Sequence, residues 1–390
     1  MLISLSNGVR PLAVCSDHPF VARVSENSKL GDDEKRVTAL LLRSPDATSE
    51  ILPEGYRAYL FQYESTEKLR DSYVLPTTLH YLQEGDVIRV DPIRRRVRAL
   101  YRRASTANFF LVTERCDNFC LMCSQPPRQQ NDDWLVDELL RVIPLVDKTT
   151  TSLGITGGEP GLLGPRLIEL VRAIRDALPR TALHILSNGR AFSDLPFARD
   201  LSAIRHGDLM VGIPLYSDLA EEHDYIVQAA GAFDQTVRGI LNLKSEGVRV
   251  EVRVVIHGDT VERLPELAAF LARNLTFVDH VALMGLELTG FAKTNLNELW
   301  VDPVDYVTQL EEAVRTLRHA RVPMSIYNHQ LCVLPSALRG FARKSISDWK
   351  NTYAPECSEC DVRDECGGMF ASSSIRKSRG ISPLREGAPQ

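Results

Sequence analysis

The sequence lacks long apolar stretches. No uninterrupted hydrophobic run approaches the roughly 18 residues that a membrane-spanning helix requires. The N-terminus, Met1 to Gly8, has no basic segment followed by a sustained apolar stretch. We therefore expect neither a membrane span nor a secretory signal, and we place the protein in the cytoplasm.

The sequence also lacks an excess of positive charge. Its 390 residues include 46 Lys and Arg against 51 Asp and Glu, which gives a net charge of −5. A broad basic surface for nucleic acid is therefore not expected. The hydrophobic fraction of 44% and the charged fraction of 25% are those of an ordinary globular protein.

Cysteine is scarce, but its distribution is informative. Eight cysteines are too few for a disulfide scaffold in a chain of 390 residues. Only Cys15 is isolated, and the others form two groups: Cys116, Cys120 and Cys123, and then Cys332, Cys357, Cys360 and Cys366. In a reducing compartment, thiols grouped in this way are more often metal ligands than cross-links.

Short apolar runs alternate with helical segments from Thr106 onward. The six strand candidates are 109–113, 152–156, 183–187, 209–213, 250–256 and 280–284. The clearest helix spans Phe233 to Gly247, where the apolar residues fall mostly on one face and glycine provides a stop signal. This alternation predicts right-handed crossovers and a parallel α/β sheet, and six units predict a partial (β/α)6 TIM-like barrel over residues 106–320.

The flanking regions differ in character. Residues 1–105 are predicted to form a small, hairpin-rich β domain, in which 86–90 and 96–101 are paired strands. Its arginines, at 94, 95, 96, 98, 102 and 103, suggest a patch for an anionic ligand or peptide. The alternative, which we favour, is a solvated charged face or a protected edge strand. Residues 321–370 form a cysteine-rich extension, and 371–390 have the composition of a flexible tail.

The first cysteine group lies directly after the first predicted strand, at the edge of a barrel-like sheet that holds ligands. Three thiolates spaced C-x3-C-x2-C can hold three irons of a [4Fe–4S] cluster and leave the fourth iron open. A zinc site completed by a distant ligand is the alternative.

This arrangement resembles the radical S-adenosylmethionine (SAM) superfamily, in which the same cysteine loop follows the first strand of a partial (β/α)6 barrel. Further motifs support the resemblance. Thr156-Gly157-Gly158-Glu159-Pro160 is similar to the loop that receives the SAM amino group, and Ser187-Asn188-Gly189 is similar to the polar end of strand three near the SAM ribose and carboxylate. A plain Asn-Gly turn is the alternative for the latter.

Two more residues match positions of the superfamily. Arg253 interrupts an apolar strand and, by resemblance, contacts the SAM carboxylate; a salt bridge to a neighbouring acid is the alternative. Met122 matches a position where an apolar residue lies against adenine, with core packing as the alternative.

The resemblance implies the chemistry as well. SAM would chelate the open iron, and an electron from the cluster would cleave it to methionine and a 5′-deoxyadenosyl radical, which removes a hydrogen atom from the substrate. The electron would come from a reductase, a flavodoxin or a ferredoxin.

The second cysteine group has the spacing C-x24-C-x2-C-x5-C and supplies four ligands, enough for a closed site. Cys357 to Gly368 resembles the auxiliary-cluster (SPASM-like) extensions of radical SAM peptide maturases. We therefore expect one auxiliary [4Fe–4S] cluster, with structural zinc as the alternative that spacing alone cannot exclude.

Two stretches, Cys116 to Pro127 and Ser345 to Asn351, resemble the HxsC type of maturase from His-Xaa-Ser peptide systems. The resemblance implies a ribosomally made precursor peptide as the substrate, a partner maturase, and modification of a repeat side chain or backbone carbon, such as a cross-link. A radical SAM enzyme acting on another protein or on a small molecule is one alternative. A zinc-stabilised interaction protein is another.

No catalytic side chain stands out. Glu287, just past the sixth strand, is a weak candidate for a proton acceptor. His223, Tyr216 and His257 are expected near the same rim, and we expect His223 to serve packing or capping rather than catalysis.

Overall fold

The computed structural model describes residues 6–45, 52–344 and 352–385, and within them the strands form two sheets. The first sheet comprises β1 (Ser6–Gly8), β2 (Arg10–Ala13), β3 (Phe20–Ser25), β4 (Thr38–Leu42), β5 (Ala58–Phe61), β6 (Ser72–Val74), β7 (Val87–Asp91) and β8 (Arg96–Tyr101). The second comprises β9 (Asn108–Leu111), β10 (Ser152–Thr156), β11 (Ala182–Leu186), β12 (Leu209–Pro214), β13 (Arg249–Ile256), β14 (His280–Gly285), β15 (Met324–Tyr327) and β16 (Ala342–Arg343).

Helices connect these strands. They are α1 (Asp32–Lys35), α2 (Trp134–Val142), α3 (Pro165–Ala177), α4 (Leu195–Ser202), α5 (Ala220–Val227), α6 (Ala232–Ser245), α7 (Gly258–Val261), α8 (Leu264–Asn274), α9 (Gly290–Thr294), α10 (Leu296–Leu299), α11 (Val307–His319) and α12 (Ser336–Arg339). The helix predicted from Phe233 corresponds to α6. Gly247, two residues after its end, has a φ of +79°, which a glycine adopts without steric cost.

The second sheet is the predicted parallel α/β barrel. Its strands lie in chain order from β9 to β16, and each pairs in parallel with the next. Strands β9 to β14 correspond to the six predicted strands, so the partial barrel is confirmed. The edge strands β15 and β16 were not predicted; they extend the sheet beyond β14, and Met324 pairs with Val281.

The first sheet curls so that its two edge strands, β1 and β2, come from one short segment of the chain. β1 pairs with β8 at one edge and β2 pairs with β6 at the other, and only Val9 separates β1 from β2. The predicted hairpin is present as β7 and β8. The expectation of a hairpin-rich domain is wrong for β3 to β6, which pair in parallel, because parallel strands need crossover connections rather than tight turns.

The first sheet packs directly on the barrel. Val87 and Tyr101 are buried in the same apolar core as the barrel strands. The Tyr101 hydroxyl lies 2.7 Å from the Thr150 hydroxyl, and Arg89 Nη1 lies 3.1 Å from Glu138 Oε1. In the arginine-rich segment, Arg94, Arg95 and Arg96 are exposed, as a solvated face would be. Arg103 instead forms an ion pair with Asp147 at 2.7 Å.

The segment predicted as a flexible tail is docked over its described part. The Ser378 hydroxyl donates to Asp302 Oδ1 at 2.5 Å, and the Arg379 backbone N–H donates to Asp302 Oδ2 at 2.9 Å. Farther along, the Asp361 backbone N–H donates to the Leu384 carbonyl at 3.0 Å. The polar composition that suggested disorder therefore supplies specific hydrogen bonds and ion pairs. Residues 386–390 lie outside the described residues.

No helix in the described part of the chain combines the length and apolar character that crossing a membrane requires. The domain limits drawn from the sequence stay predictions.

Candidate functional site

The loop after β9 carries the first cysteine group at the carboxyl end of the parallel sheet. The backbone N–H groups of Phe119 and Leu121 donate to the carbonyls of Val227 and Ile226, each at 3.0 Å. Those carbonyls belong to the last turn of α5, where a helix leaves its C=O groups without intrahelical partners. The end of α5 therefore fixes the cysteine loop against the barrel.

Side chains complete this attachment. Arg190 Nη1 donates to the Asp117 carbonyl at 2.8 Å and to Asn118 Oδ1 at 2.6 Å. Asn295 Nδ2 donates to the Leu121 carbonyl at 2.9 Å. The sequence analysis missed these residues, because nothing local marks a distant arginine or asparagine as a partner of the loop.

The beginning of the loop is anchored by a buried carboxylate. Asp132, only 1% exposed, accepts hydrogen bonds from the Thr113 hydroxyl at 3.0 Å and from the Glu114 backbone N–H at 2.5 Å. Arg115 Nε lies 3.1 Å from the same carboxylate. The chain entering the cysteine loop is therefore held by polar contacts that are largely protected from solvent.

The three cysteines are half-buried, and their thiols influence one another electrostatically. Burial raises the pKa of Cys116 to about 12. Burial also raises the pKa of Cys120, and the charges of Cys123 and Cys116 add to this effect. Burial likewise raises the pKa of Cys123. Free thiols would thus stay protonated here, and a bound metal would have to displace their protons.

The glycines after β10 pack against the chain that enters the cysteine loop. Gly158 donates its backbone N–H to the Thr113 carbonyl at 2.8 Å, and Glu159 donates to the Arg115 carbonyl at 2.7 Å. A Cβ added at Gly158 would lie 2.1 Å from the Arg115 carbonyl oxygen, and one at Gly157 would lie 2.5 Å from the Thr113 oxygen. Only glycine therefore permits this contact between the two loops.

Glu159 joins the end of β10 to the end of β11. Its carboxylate accepts from the Ser187 hydroxyl at 2.7 Å, the Asn188 backbone N–H at 2.5 Å and the Gly161 backbone N–H at 2.6 Å. Burial raises the pKa of Glu159 to about 7 against the opposing effect of these donors. Both carboxylate oxygens thus already have partners within the protein, and the next residue, Pro160, is buried at the start of a 3-10 turn.

Asn188 links this network to the cysteine loop. Its side-chain Nδ2 donates to Asp117 Oδ1 at 2.7 Å, and Asp117 directly follows Cys116. The predicted residues Ser187, Asn188 and Glu159 are therefore brought together beside the first cysteine group.

Arg253 lies on β13 and has the salt bridge that the sequence analysis left open as an alternative. Its Nη1 donates to Glu251 Oε1 at 2.7 Å, and its Nη2 lies 3.2 Å from Met284 Sδ. Glu251 Oε2 in turn lies 2.9 Å from His280 Nδ1. The sequence held a signal for Glu251, because residues two apart on a strand share a face.

Met122 and Tyr216 pack in one apolar cluster beside the cysteine loop, together with Ile226 and Val227. Met122 is 6% exposed, so its observed surroundings are those of core packing. Burial raises the pKa of Tyr216, and the neighbouring charges of Cys120 and Cys123 add to this shift.

The histidines near the rim are buried. His223 Nδ1 accepts from the Tyr216 backbone N–H at 3.2 Å, as the packing or capping interpretation requires, and the Tyr216 and His257 rings are 6.3 Å apart. Burial lowers the pKa of His223 to about 4 and that of His257 to about 3. Glu287 is half-buried in the loop after β14, at the same end of the sheet.

The four cysteines of the second group lie close together in the structure, although they span a long stretch of the chain. Cys332, Cys357, Cys360 and Cys366 all line one small cavity, although the first is separated from the others by a segment that includes β16. The backbone N–H groups of Leu331 and Gly368 approach Cys366 Sγ at 3.5 and 3.4 Å, and that of Leu384 approaches Cys360 Sγ at 3.4 Å. Backbone N–H donors of this kind stabilise thiolates.

Among the described residues, no three His, Cys, Asp or Glu side chains are arranged to hold a single metal ion. An iron–sulfur cluster imposes a different requirement, because each thiolate binds a separate iron. The donor chemistry of both groups, three half-buried thiols in one loop and four thiols around one cavity, fits that requirement.

Comparison with known proteins shows what the segment that contains the first site is similar to. Residues 110–271 match the sequence model of the radical SAM superfamily. No curated protein matches the chain. The matched segment contains Cys116 to Cys123, the loop from Gly157 to Pro160, and Arg253.

Solved structures with similar folds include Streptococcus suis SuiB bound to S-adenosylmethionine, at 15% identity and a TM-score of 0.46, covering 57% of this chain and 50% of that one. Native anSMEcpe with bound AdoMet and the Cp18Cys peptide is 18% identical over 55% of this chain and 62% of that one, with a TM-score of 0.44. The FeFe-hydrogenase maturase HydG from Carboxydothermus hydrogenoformans is 13% identical over 60% of this chain and 55% of that one, with a TM-score of 0.42.

The chain spans about half the length of SuiB. The match to the superfamily model covers the β9 cysteine loop and the strands that surround it. Residues 110–271 of the protein are therefore similar to the domain that defines the radical SAM superfamily.

Proposed function

We propose that the protein is a peptide-modifying radical SAM maturase. The observation that carries this proposal is the contact between two loops at the carboxyl end of the sheet. The glycines after β10 lie directly on the chain that leads into the three-cysteine loop. This contact brings a candidate cluster site and a candidate SAM site together.

In this proposal Cys116, Cys120 and Cys123 hold a [4Fe–4S] cluster, which when bound supplies the electron that cleaves SAM. The protein's own task is to bind and orient SAM and to exclude water. Its binding surface comprises Met122, Gly157, Gly158, Glu159, Pro160, Ser187, Asn188 and Arg253.

The roles of these residues follow from their contacts. Glu159 acts as a positioning residue, because its carboxylate holds Ser187 and the Asn188 backbone. Glu251 orients the Arg253 guanidinium, which leaves a cation available to a carboxylate ligand. Glu287 stays a candidate proton acceptor on the rim.

We further propose that Cys332, Cys357, Cys360 and Cys366 hold an auxiliary [4Fe–4S] cluster. Support comes from their convergence on one cavity and from the backbone N–H groups that approach the Sγ atoms of Cys360 and Cys366. Such donors also tune the potential of a cluster. Zinc in this site would be revealed by metal analysis of protein purified without oxygen.

The substrate in this proposal is a ribosomally made precursor peptide with His-Xaa-Ser repeats, modified by a reaction such as cross-linking. The support is the sequence of Cys116 to Pro127; the other stretch that suggested this substrate, Ser345 to Asn351, lies outside the described residues. A reductase, flavodoxin or ferredoxin would supply electrons and a partner maturase would assist. We place the protein in the cytoplasm, where thiols stay reduced.

The test is anaerobic reconstitution with iron, sulfide, SAM, dithionite and a candidate repeat peptide. Chromatography measures 5′-deoxyadenosine while mass spectrometry follows the peptide. A peptide that loses about two mass units would support cross-linking, because two hydrogen atoms are removed. Absence of 5′-deoxyadenosine from protein with a full complement of iron and sulfide would refute the proposal.

Cysteine variants separate the two sites. Cys120→Ala should abolish 5′-deoxyadenosine formation, whereas Cys360→Ala should eliminate modified peptide and spare some uncoupled SAM cleavage. Iron should fall from about eight to about four per chain in either variant, because each cluster holds four. Cys15→Ala is the matched control, since Cys15 is exposed and far in sequence from both groups. Full product formation by Cys360→Ala would contradict the auxiliary role.

A further inference from the structure

A cleft lies between the barrel and the C-terminal extension. Ile256 and Gly285, the last residues of β13 and β14, line one wall together with Asn328, which follows β15. Residues between Gly367 and Ser378 line the opposite wall. The cleft therefore opens at the same end of the sheet as the cysteine loop.

The charge of this cleft has one sign. Arg376 and Lys377 line it, and none of the residues of the described chain that line it is acidic. Lys377 Nζ lies 3.0 Å from Glu356 Oε1, which offsets part of its charge. Arg376 has no hydrogen-bond or ion-pair partner among the described residues. The cleft thus presents a guanidinium that is exposed and is not paired with any described residue, and a guanidinium binds carboxylates with two parallel hydrogen bonds.

Neighbouring residues hold this arginine in place. Ser378 and Arg379 are attached to Asp302 through the hydrogen bonds described above, and Arg379 Nη1 donates to Asp305 Oδ2 at 2.8 Å. The segment is therefore anchored to the barrel immediately after its two cations. This anchoring limits the range of positions that Arg376 can adopt.

The cleft adjoins the second cysteine group. Gln330, Gly368 and Met369 line both this cleft and the four-cysteine cavity. Leu286, Trp300 and Phe370 supply apolar surface beside the cations. A ligand here would lie between the barrel rim and the four thiols, with a charged end and an apolar body.

We infer that this cleft binds the substrate peptide through a carboxylate held by Arg376, with Lys377 beside it and apolar neighbours of the carboxylate packed on Trp300 and Phe370. The inference rests on the proposed function and specifies the chemistry of its substrate. An acidic side chain and a free C-terminus offer the same group, and the experiment distinguishes them.

The experiment is isothermal titration of the full-length, reconstituted protein with three hexapeptides, without dithionite. The first is acetylated and amidated and contains one phenylalanine followed by one glutamate. The second replaces glutamate by glutamine, and the third is the glutamine peptide with a free C-terminal carboxylate. We expect the glutamate peptide or the free-carboxylate peptide to bind about tenfold more tightly than the neutral one, as one bidentate, charge-assisted pair of hydrogen bonds would give.

The variants are Arg376→Gln and the control Arg318→Gln, an exposed arginine near the end of α11. Arg376→Gln should abolish the preference for the carboxylate, and Arg318→Gln should retain it. Equal binding of the three peptides by the wild type, no binding of any of them, or an unchanged preference in Arg376→Gln would overturn the inference. SAM cleavage by the wild type is measured separately, so a failure of the proposed function would be recognised independently of these affinities.

Discussion

Glu251 is the centre of a polar cluster inside the barrel, and replacing it by glutamine tests whether its charge holds that cluster together. Its carboxylate contacts Arg253 at 2.7 Å and His280 at 2.9 Å, and His184 Nε2 lies 3.7 Å away. The Glu251 side chain is only 8% exposed. Removing the charge would leave the partly buried guanidinium of Arg253 without its counterion.

The expected loss can be worked from the pKa of Glu251. Burial raises this pKa, but the hydrogen bond from His280 and the charge of Arg253 outweigh burial and lower it from 4.5 to about 2. That difference corresponds to about 3 kcal/mol at neutral pH, because one pH unit is worth about 1.4 kcal/mol. Because the glutamine oxygen can still accept a hydrogen bond from Arg253, we expect Glu251→Gln to lose about 2 to 3 kcal/mol.

The contribution of Glu251 to the stability of the protein should decrease as the pH falls. As the pH falls below 4.5, the unfolded chain takes up a proton at Glu251 before the folded protein does. The contribution of this carboxylate is therefore fully present above pH 4.5 and is lost between pH 4.5 and about pH 2. Titration of the Glu251 carboxylate itself should leave the difference in stability between the wild type and Glu251→Gln unchanged from pH 7 to pH 5.

Urea unfolding of cluster-free protein, followed by circular dichroism at pH 7 and pH 5, measures these free energies. The exposed Glu311 on α11 provides the matched control, and Glu311→Gln should change the free energy of unfolding by less than about 0.5 kcal/mol. The double variant Glu251→Gln/Arg253→Met should be more stable than Glu251→Gln, because no unpaired cation remains. A loss below about 0.5 kcal/mol in Glu251→Gln, or a double variant no more stable than the single, would refute the reasoning.

Two further predictions concern the loop after β10. Gly158→Ala places a Cβ 2.1 Å from a backbone oxygen, so we expect reduced iron loading by colorimetric assay. Gly340→Ala, with no atom within 4 Å of its added Cβ, should load normally; equal loading of both variants would contradict the packing argument. Burial raises the pKa of Glu159 to about 7. The folded protein therefore retains a proton on Glu159 that the unfolded chain releases above pH 4.5. As a result, the contribution of Glu159 to stability falls as the pH rises from 4.5 to 7. The urea midpoints of Glu159→Gln should lack this decline, and a variant with the wild-type decline would show that another group causes it.

The barrel strands could be predicted because their signals are local. Strands β9 to β14 combine short apolar runs with intervening amphipathic helices, and both patterns are visible in windows of a few residues. The edge strands β15 and β16, of four and two residues, escaped prediction because only pairing with β14 and with each other marks them as strands. The parallel pairing of β3 to β6 was missed for the same reason, since a parallel pair leaves no turn signature.

The candidate site likewise contains some features that the sequence predicted and others that it did not. Spacing alone indicated the three-cysteine loop, and the glycines after β10 were recognised by the similarity of their loop to a SAM-binding loop. In the structure, however, these glycines pack against the backbone of Thr113 and Arg115. The hydrogen bonds that Arg190 and Asn295 donate to the cysteine loop could not be predicted, because contacts between residues far apart in the chain leave no periodic pattern in the sequence.

The sequence by itself determined the order of strands and helices and the positions of the thiols along the chain, since steric preferences and hydrophobic periodicity act between near neighbours. Only the tertiary structure decided that Glu251 pairs with Arg253 and that Cys332 joins Cys357, Cys360 and Cys366 around one cavity. It also decided that the segment after residue 371 packs against the barrel and lines a cationic cleft. These arrangements depend on loop closure and on the burial of charge, and both are set by the packing of the whole chain.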